Sequence, residues 1–220
     1  MKLIRVLLIT CFANVLFSFA PTGANAATPS ELNDKLLKAT DPFEGLTESA
    51  VSEDNAGIAK AFKAAKAGRT ATRALLTTET AVRFDKLFDE LARAQSKKDS
   101  VAVALQAAEL YKLLVSSCEA SALAVPMEVS LLDYAGFRTN ALLKATAPDW
   151  QALADTAREA SANWAKIRDR VTDNKLKTDM EKAQSGLTSA AQMHDVSLSQ
   201  SSAKTDLALV DDLEGYFAKK

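Results

Sequence analysis

His194 is the only histidine in the 220-residue chain, and it stands between Met193 and Asp195. A thioether, an imidazole and a carboxylate in sequence are the donor types that suit copper. Met193, His194 and Asp195 are therefore the candidate metal ligands, with Met127 and Met180 as further thioethers beyond the leading segment. The competing reading is a histidine in a polar turn. A second group of reactive types lies near the C-terminus, where Asp206, Asp211, Asp212 and Glu214 fall on one helical stretch. Asp211 and Glu214 are three apart and share a face, but Leu207 occupies the position one turn back. A di-iron bundle needs Glu-x-x-His pairs on facing helices, and no E-x-x-H occurs. Asp211 is expected instead to pair with a basic residue such as Arg138 or Arg168.

Other chemistries are narrowed by what surrounds their key residues. Cys118 is followed by Glu119 and Ala120, so no C-x-x-C-H motif attaches a c-type haem. Non-covalent haem through His194 or a methionine is the remaining haem reading. Cys118 sits on an apolar stripe and reads as an inert core thiol. Glycine loops for phosphates and sets of Ser, His and Asp for nucleophilic catalysis are not suggested, so the expectation is a protein that is not an enzyme. The densest mixture of polar function is LLDYAGFR, residues 131 to 138. At helical spacing Asp133, Phe137 and Asn140 share one side, while Tyr134 and Arg138 share another. Satisfied structural polar groups are one account of this segment, and an interface or ligand pocket is the other.

Helices must position these residues. Hydrophobic residues make up 48% of the chain, which is apolar enough for a real core. Lys and Arg number 27 against 28 Asp and Glu, so no basic footprint points to nucleic acid. Residues 1 to 26 read as a cleaved export signal: Lys2 and Arg5, an apolar stretch from Leu7 to Ala20, then Ala24-Asn25-Ala26 as a small-x-small site. Cys11 falls inside this apolar stretch and does not read as a lipidation site. Its removal would leave Cys118 without an internal partner and the chain mildly acidic. No later stretch is apolar for long enough to span a membrane. The expected location is the periplasm.

Residues 27 to 46 carry Pro29, Pro42 and Gly45 and read as an N-terminal arm with at most one short helix. The bundle domain is expected over 47 to 220. No proline occurs between Pro42 and Pro126 or after Pro148, and helix formers fill these spans. The periodicity predicts helices over 50–76, 79–95 with Thr78 as cap, 100–120, Pro126 to about Ala145, and from Pro148 through Val171. Another follows Asp173, and a last one ends near Lys219. The most regular is Trp150, Leu153, Ala157, Ala160, Trp164, Ile167 and Val171. The fold class is all-α, an antiparallel helical bundle. A shift of 96 residues sets Leu91 on Leu187, Ala94 on Ala190, Asp99 on Asp195, Ala107 on Ala203 and His194 on Lys98. That echo suggests two duplicated four-helix units with halves 47–123 and 126–220.

LALVDDLEGYF at the end, LLDYAGFR before it, and the spacing of Asp149, Trp150 and Trp164 resemble uncharacterised exported, alanine-rich helical-bundle proteins of Gram-negative bacteria. The resemblance spans roughly residues 84 to 217. It implies a periplasmic bundle and no particular activity. In outline the bundle also resembles the cytochrome c-prime type, without its haem motif. The expected function is binding of a partner protein or small ligand without catalysis, with copper or haem binding as the alternative.

Overall fold

The computed structural model describes residues 27–219. The expected signal, with Cys11, lies outside the described residues. Within them the chain is all-α, with nine α-helices and two single turns of 3-10 helix. The helices are α1 (Pro29–Lys38), α2 (Asp41–Val51), α3 (Asn55–Arg73), α4 (Thr78–Ser96) and α5 (Ser100–Val115), then α6 (Met127–Leu143), α7 (Trp150–Ile167), α8 (Asn174–Met193) and α9 (Val196–Phe217).

Side-chain caps explain most of the starts. Asp54, Asp99, Asp149, Asp173 and Asp195 each accept a backbone N–H from the first turn of the helix that follows. A carboxylate there satisfies an orphan donor and meets the positive end of the helix dipole. Thr77, not Thr78, caps α4, because its hydroxyl reaches the amide of Thr80. Thr28 and Glu31 close a reciprocal capping box on α1.

The helices pack as two closed rings of four. In the first unit α2 touches α3 and α5, and α4 touches α3 and α5. In the second α6 touches α7 and α9, and α8 touches α7 and α9. Contacts of α6 with α5 and α2 join the units. The expected arm is thereby corrected. Residues 29 to 51 form two helices, and α2 is a full member of the first ring. Phe43 and Leu46 are buried against the first core, so the boundary expected at 47 cuts through a helix. Proline and glycine suggested an arm, but Pro42 stands in the first turn of α2, where its missing N–H costs nothing. The helix expected over 50–76 breaks at Ser52–Asp54, and the one over 100–120 stops at Val115.

Aromatic packing fixes the first core. Phe43 meets Phe84 and Phe88 edge-on with centroids 6.4 Å apart in each case. Arg69 and Arg73 clasp Asp85 at 3.0 and 2.6 Å, tying α3 to α4 across their surface. The second core is divided. Leu132, Trp164, Met180, Leu213 and Phe217 belong to one cluster, Ala157, Leu187 and Ala203 to another, and Leu142, Leu153 and Ala191 to a third.

Candidate functional site

The two sides of α6 that spacing separates face two different environments. Tyr134 and Arg138 point to the seam with α5 and α7. The Tyr134 hydroxyl donates to Glu109 Oε1 at 2.9 Å, and Arg138 Nη1 donates to the same oxygen. Arg138 Nε reaches Thr156 Oγ1 at 3.1 Å. Beside them Lys112 bonds Glu159 at 2.7 Å and lies 4.5 Å from the centroid of the Tyr134 ring. These groups satisfy one another and lock the units together. Arg138 is thus committed to Glu109, and Arg168 to Asp169 and Glu181. The expected pairing of either arginine with Asp211 gives way to these partners.

Asp133 and Phe137 face the other way, into a cleft of about 990 Å³ between the units. Four helices bring acids to it at helical spacing. Asp34 comes from α1, Asp41, Glu44 and Glu48 from one face of α2, Asp133 from α6, and Asp211 and Glu214 from α9. Lys38 is the basic residue of the lining among the described residues. Leu37, Val115, Leu123, Met127, Phe137 and Leu207 supply apolar wall between the carboxylates. The α1 wall is pinned in place by Asn33. Its amide donates to the Glu119 carbonyl at 2.9 Å and accepts the Glu119 N–H at 2.8 Å.

Crowding of like charge away from water shapes the electrostatics. Burial, then the charges of Glu48, Asp41, Glu214 and Asp211, push Glu44 up to about 7. Burial, then the charges of Glu214, Glu44, Asp206 and Asp211, hold Asp133 well above the usual carboxylate range. Its Oδ2 accepts a long hydrogen bond of 3.4 Å from the Tyr111 hydroxyl. The Tyr111 ring stands edge-on to Phe137 at 5.4 Å. A site that raises its own carboxylate pKa values is one that an incoming cation relieves.

The structure gives the residues singled out for metal binding other local roles. His194 ends α8 in the left-handed conformation at φ 55°, and its ring stacks on Trp150 at 4.9 Å. Met193 is exposed. Asp195 Oδ1 is occupied by the N–H of Leu198. Among the described residues no three of His, Cys, Asp and Glu lie close enough together to hold a metal ion. Cys118 is buried, its thiol pushed up to about 11 by loss of water.

The acidic C-terminal group divides. Asp211 and Glu214 face the cleft, Asp212 is exposed, and Asp206 is fully buried in the second core. Asp41 and Glu44 fall in the expected arm and Glu48 just beyond it, so the expected boundary keeps them from reading as one helical face. Their spacing at 41, 44 and 48 was the available signal.

Searches of family models, curated proteins and solved structures find no match to this chain.

Proposed function

We propose that this chain is a periplasmic, non-enzymatic binding protein whose cleft between the two helical units takes a positively charged organic molecule. The observation that carries this is the lining: among the described residues, seven carboxylates against one lysine, interleaved with apolar side chains, in about 990 Å³. That volume matches the upper end of ligand pockets, roughly 300 to 1,000 Å³. A bare ion would need donors converging on a point. The acids instead come from separate helices with hydrocarbon surface between them, which suits an amine on an apolar stem. The export signal read in residues 1 to 26 supports the periplasm as the place of binding.

Calorimetric titration of the full chain with linear di- and triamines, against neutral diols of equal length, tests the reading. Amines are expected to bind, with affinity falling as salt rises and falling again as the pH drops below about 7 and Glu44 takes up a proton. Glu44→Gln and Asp211→Asn should each weaken amine binding above about pH 7, by about tenfold for a lost charge pair. Equal affinity for amines and diols, or binding untouched by both variants, overturns the proposal.

A further inference from the structure

The correspondence of the two units extends to their interiors. The same shift that carries Thr78 at the start of α4 onto Asn174 at the start of α8 carries Phe88 onto Gln184 and Leu110 onto Asp206. Phe88 and Leu110 are apolar members of the first core, 2% and 0% exposed. Gln184 and Asp206 are as deeply buried, 4% and 0% exposed. The second core is thus polar at a level where the first is oily, and this is where its apolar clusters separate.

Gln184 Nε2 donates to Asp206 Oδ1 at 2.6 Å. The other oxygen of each side chain, Gln184 Oε1 and Asp206 Oδ2, is buried without a partner. Both orphans are acceptors. A single proton on Asp206 Oδ2 supplies the donor that both lack, and acid and amide can then pair through two hydrogen bonds. Among the described residues no basic group contributes to the electrostatics of Asp206. Among the described residues, other buried polar side chains of this unit include Thr156, Asn163, Ser199 and Ser202, none of them ionisable. The ionisable group that interacts with Asp206 from α6 is Asp133, an acid of the same sign. An isolated carboxylate in such a place is costly, and the group takes up a proton instead.

We propose that Asp206 is protonated in the folded protein and donates that proton to Gln184 Oε1, making the α8–α9 joint a proton-sensitive latch. Ionisation leaves a buried charge and an orphan amide oxygen, and it loosens α9. Leu207, Ala208 and Asp211 on the same helix form one wall of the cleft, so the state of the latch reaches the cleft through α9. The latch stands on the buried pair alone and does not depend on what the cleft binds.

Desolvation raises the Asp206 carboxyl from 3.8 to about 7. A folded-state value above the unfolded one gives stability that is full below the unfolded value and is lost as the pH rises to the folded one. Urea unfolding of the full chain from about pH 4 to about pH 7, between the unfolded and folded values, reads this out. The wild-type folding constant should fall by up to about tenfold per pH unit across that window. Asp206→Asn has the same shape. Its Oδ1 accepts from Gln184 and its Nδ2 donates back, a permanent copy of the protonated pair. It should flatten the curve and lie above wild type at the alkaline end. Glu44 titrates in both proteins, and Asp133 responds to the charge of Asp206, so the difference between the curves reports ionisation of Asp206 together with its effect on Asp133. Parallel curves, or an asparagine variant below wild type throughout, overturn the proposal. A carboxyl-carbon NMR titration of the wild-type chain needs no variant. An Asp206 signal still protonated near pH 6 supports the latch, and one that titrates with the exposed aspartates overturns it.

Discussion

Gly136 shows how closely α6 and α9 approach. A Cβ there would lie 2.6 Å from both Cγ and Cδ2 of Leu207. Cγ is the branch point of the side chain, so leucine cannot yield by bending only its tip. Alanine favours a helix interior over glycine by about 1 kcal/mol, but overpacking of a close seam costs about 1 to 3 kcal/mol. Gly136→Ala is expected to destabilise on balance, read as a lower urea midpoint with unchanged slope. Adding Leu207→Ala should return most of that loss, because the second change removes the atoms in the way. Asp206 carries the lesson in legibility at this scale. Ala203, Asp206, Val210, Leu213 and Phe217 recur at three and four, so helical spacing alone puts Asp206 on the buried stripe. Sorting the C-terminal acids by charge hid what sorting by face reveals. Gln184 was legible in the same way, between Met180 and Leu187.

Three connections between helices use one device. Glu53, Lys98 and His194 adopt φ of 59°, 57° and 55°, and an aspartate follows each. The N–H of that aspartate turns back to the preceding helix, Asp54 to the Ser49 carbonyl at 2.8 Å, Asp99 to Ala94 at 3.1 Å and Asp195 to Ala190 at 3.0 Å. Its side chain then caps the next helix, so one dipeptide ends one element and starts another. The 96-residue echo, seen as sequence, was this turn repeated between α4 and α5 and between α8 and α9. Left-handed backbone costs a non-glycine residue roughly 1 to 2 kcal/mol, and glycine gives back part of that in unfolded-state entropy. Lys98→Gly is therefore expected to raise stability by up to about 1 kcal/mol in thermal or urea unfolding. His194→Gly should gain less, because it gives up the stack on Trp150. Asp99→Ala and Asp195→Ala should each cost about 1 kcal/mol. Helix existence was legible because alanine-rich amphipathic stretches admit little else. Ends were less so: Thr77 and Thr78 are chemically equal, and only the backbone decides which hydroxyl meets the amide of Thr80.

At the scale of the whole molecule, two rings of like topology have unlike interiors. The first joins aromatic and aliphatic side chains in one cluster, while the second is interrupted by Gln184 and Asp206. The polar residues of the second core can be read from helical spacing, but the cleft cannot, since Glu44, Asp133 and Asp211 meet only when both rings have closed and docked. Docking rests on α6, and the Glu109, Tyr134 and Arg138 cluster is its polar clasp. Arg138 is about a quarter exposed, so water screens part of the ion pair and the loss on truncation falls short of the 3 to 5 kcal/mol of a fully buried one. Arg138→Met keeps the hydrocarbon stem and leaves Glu109 with Tyr134 alone. It is expected to destabilise by about 1 to 3 kcal/mol. The loss should fall on the contact between units more than within either ring. Calorimetric unfolding of the variant at neutral pH, where the second core is weakest, should then resolve two transitions where wild type gives one. Amide exchange assigns them: α8 and α9 should open before α4 and α5. A single transition with uniform exchange would mean that apolar packing of α5 and α2 on α6 couples the rings without the clasp.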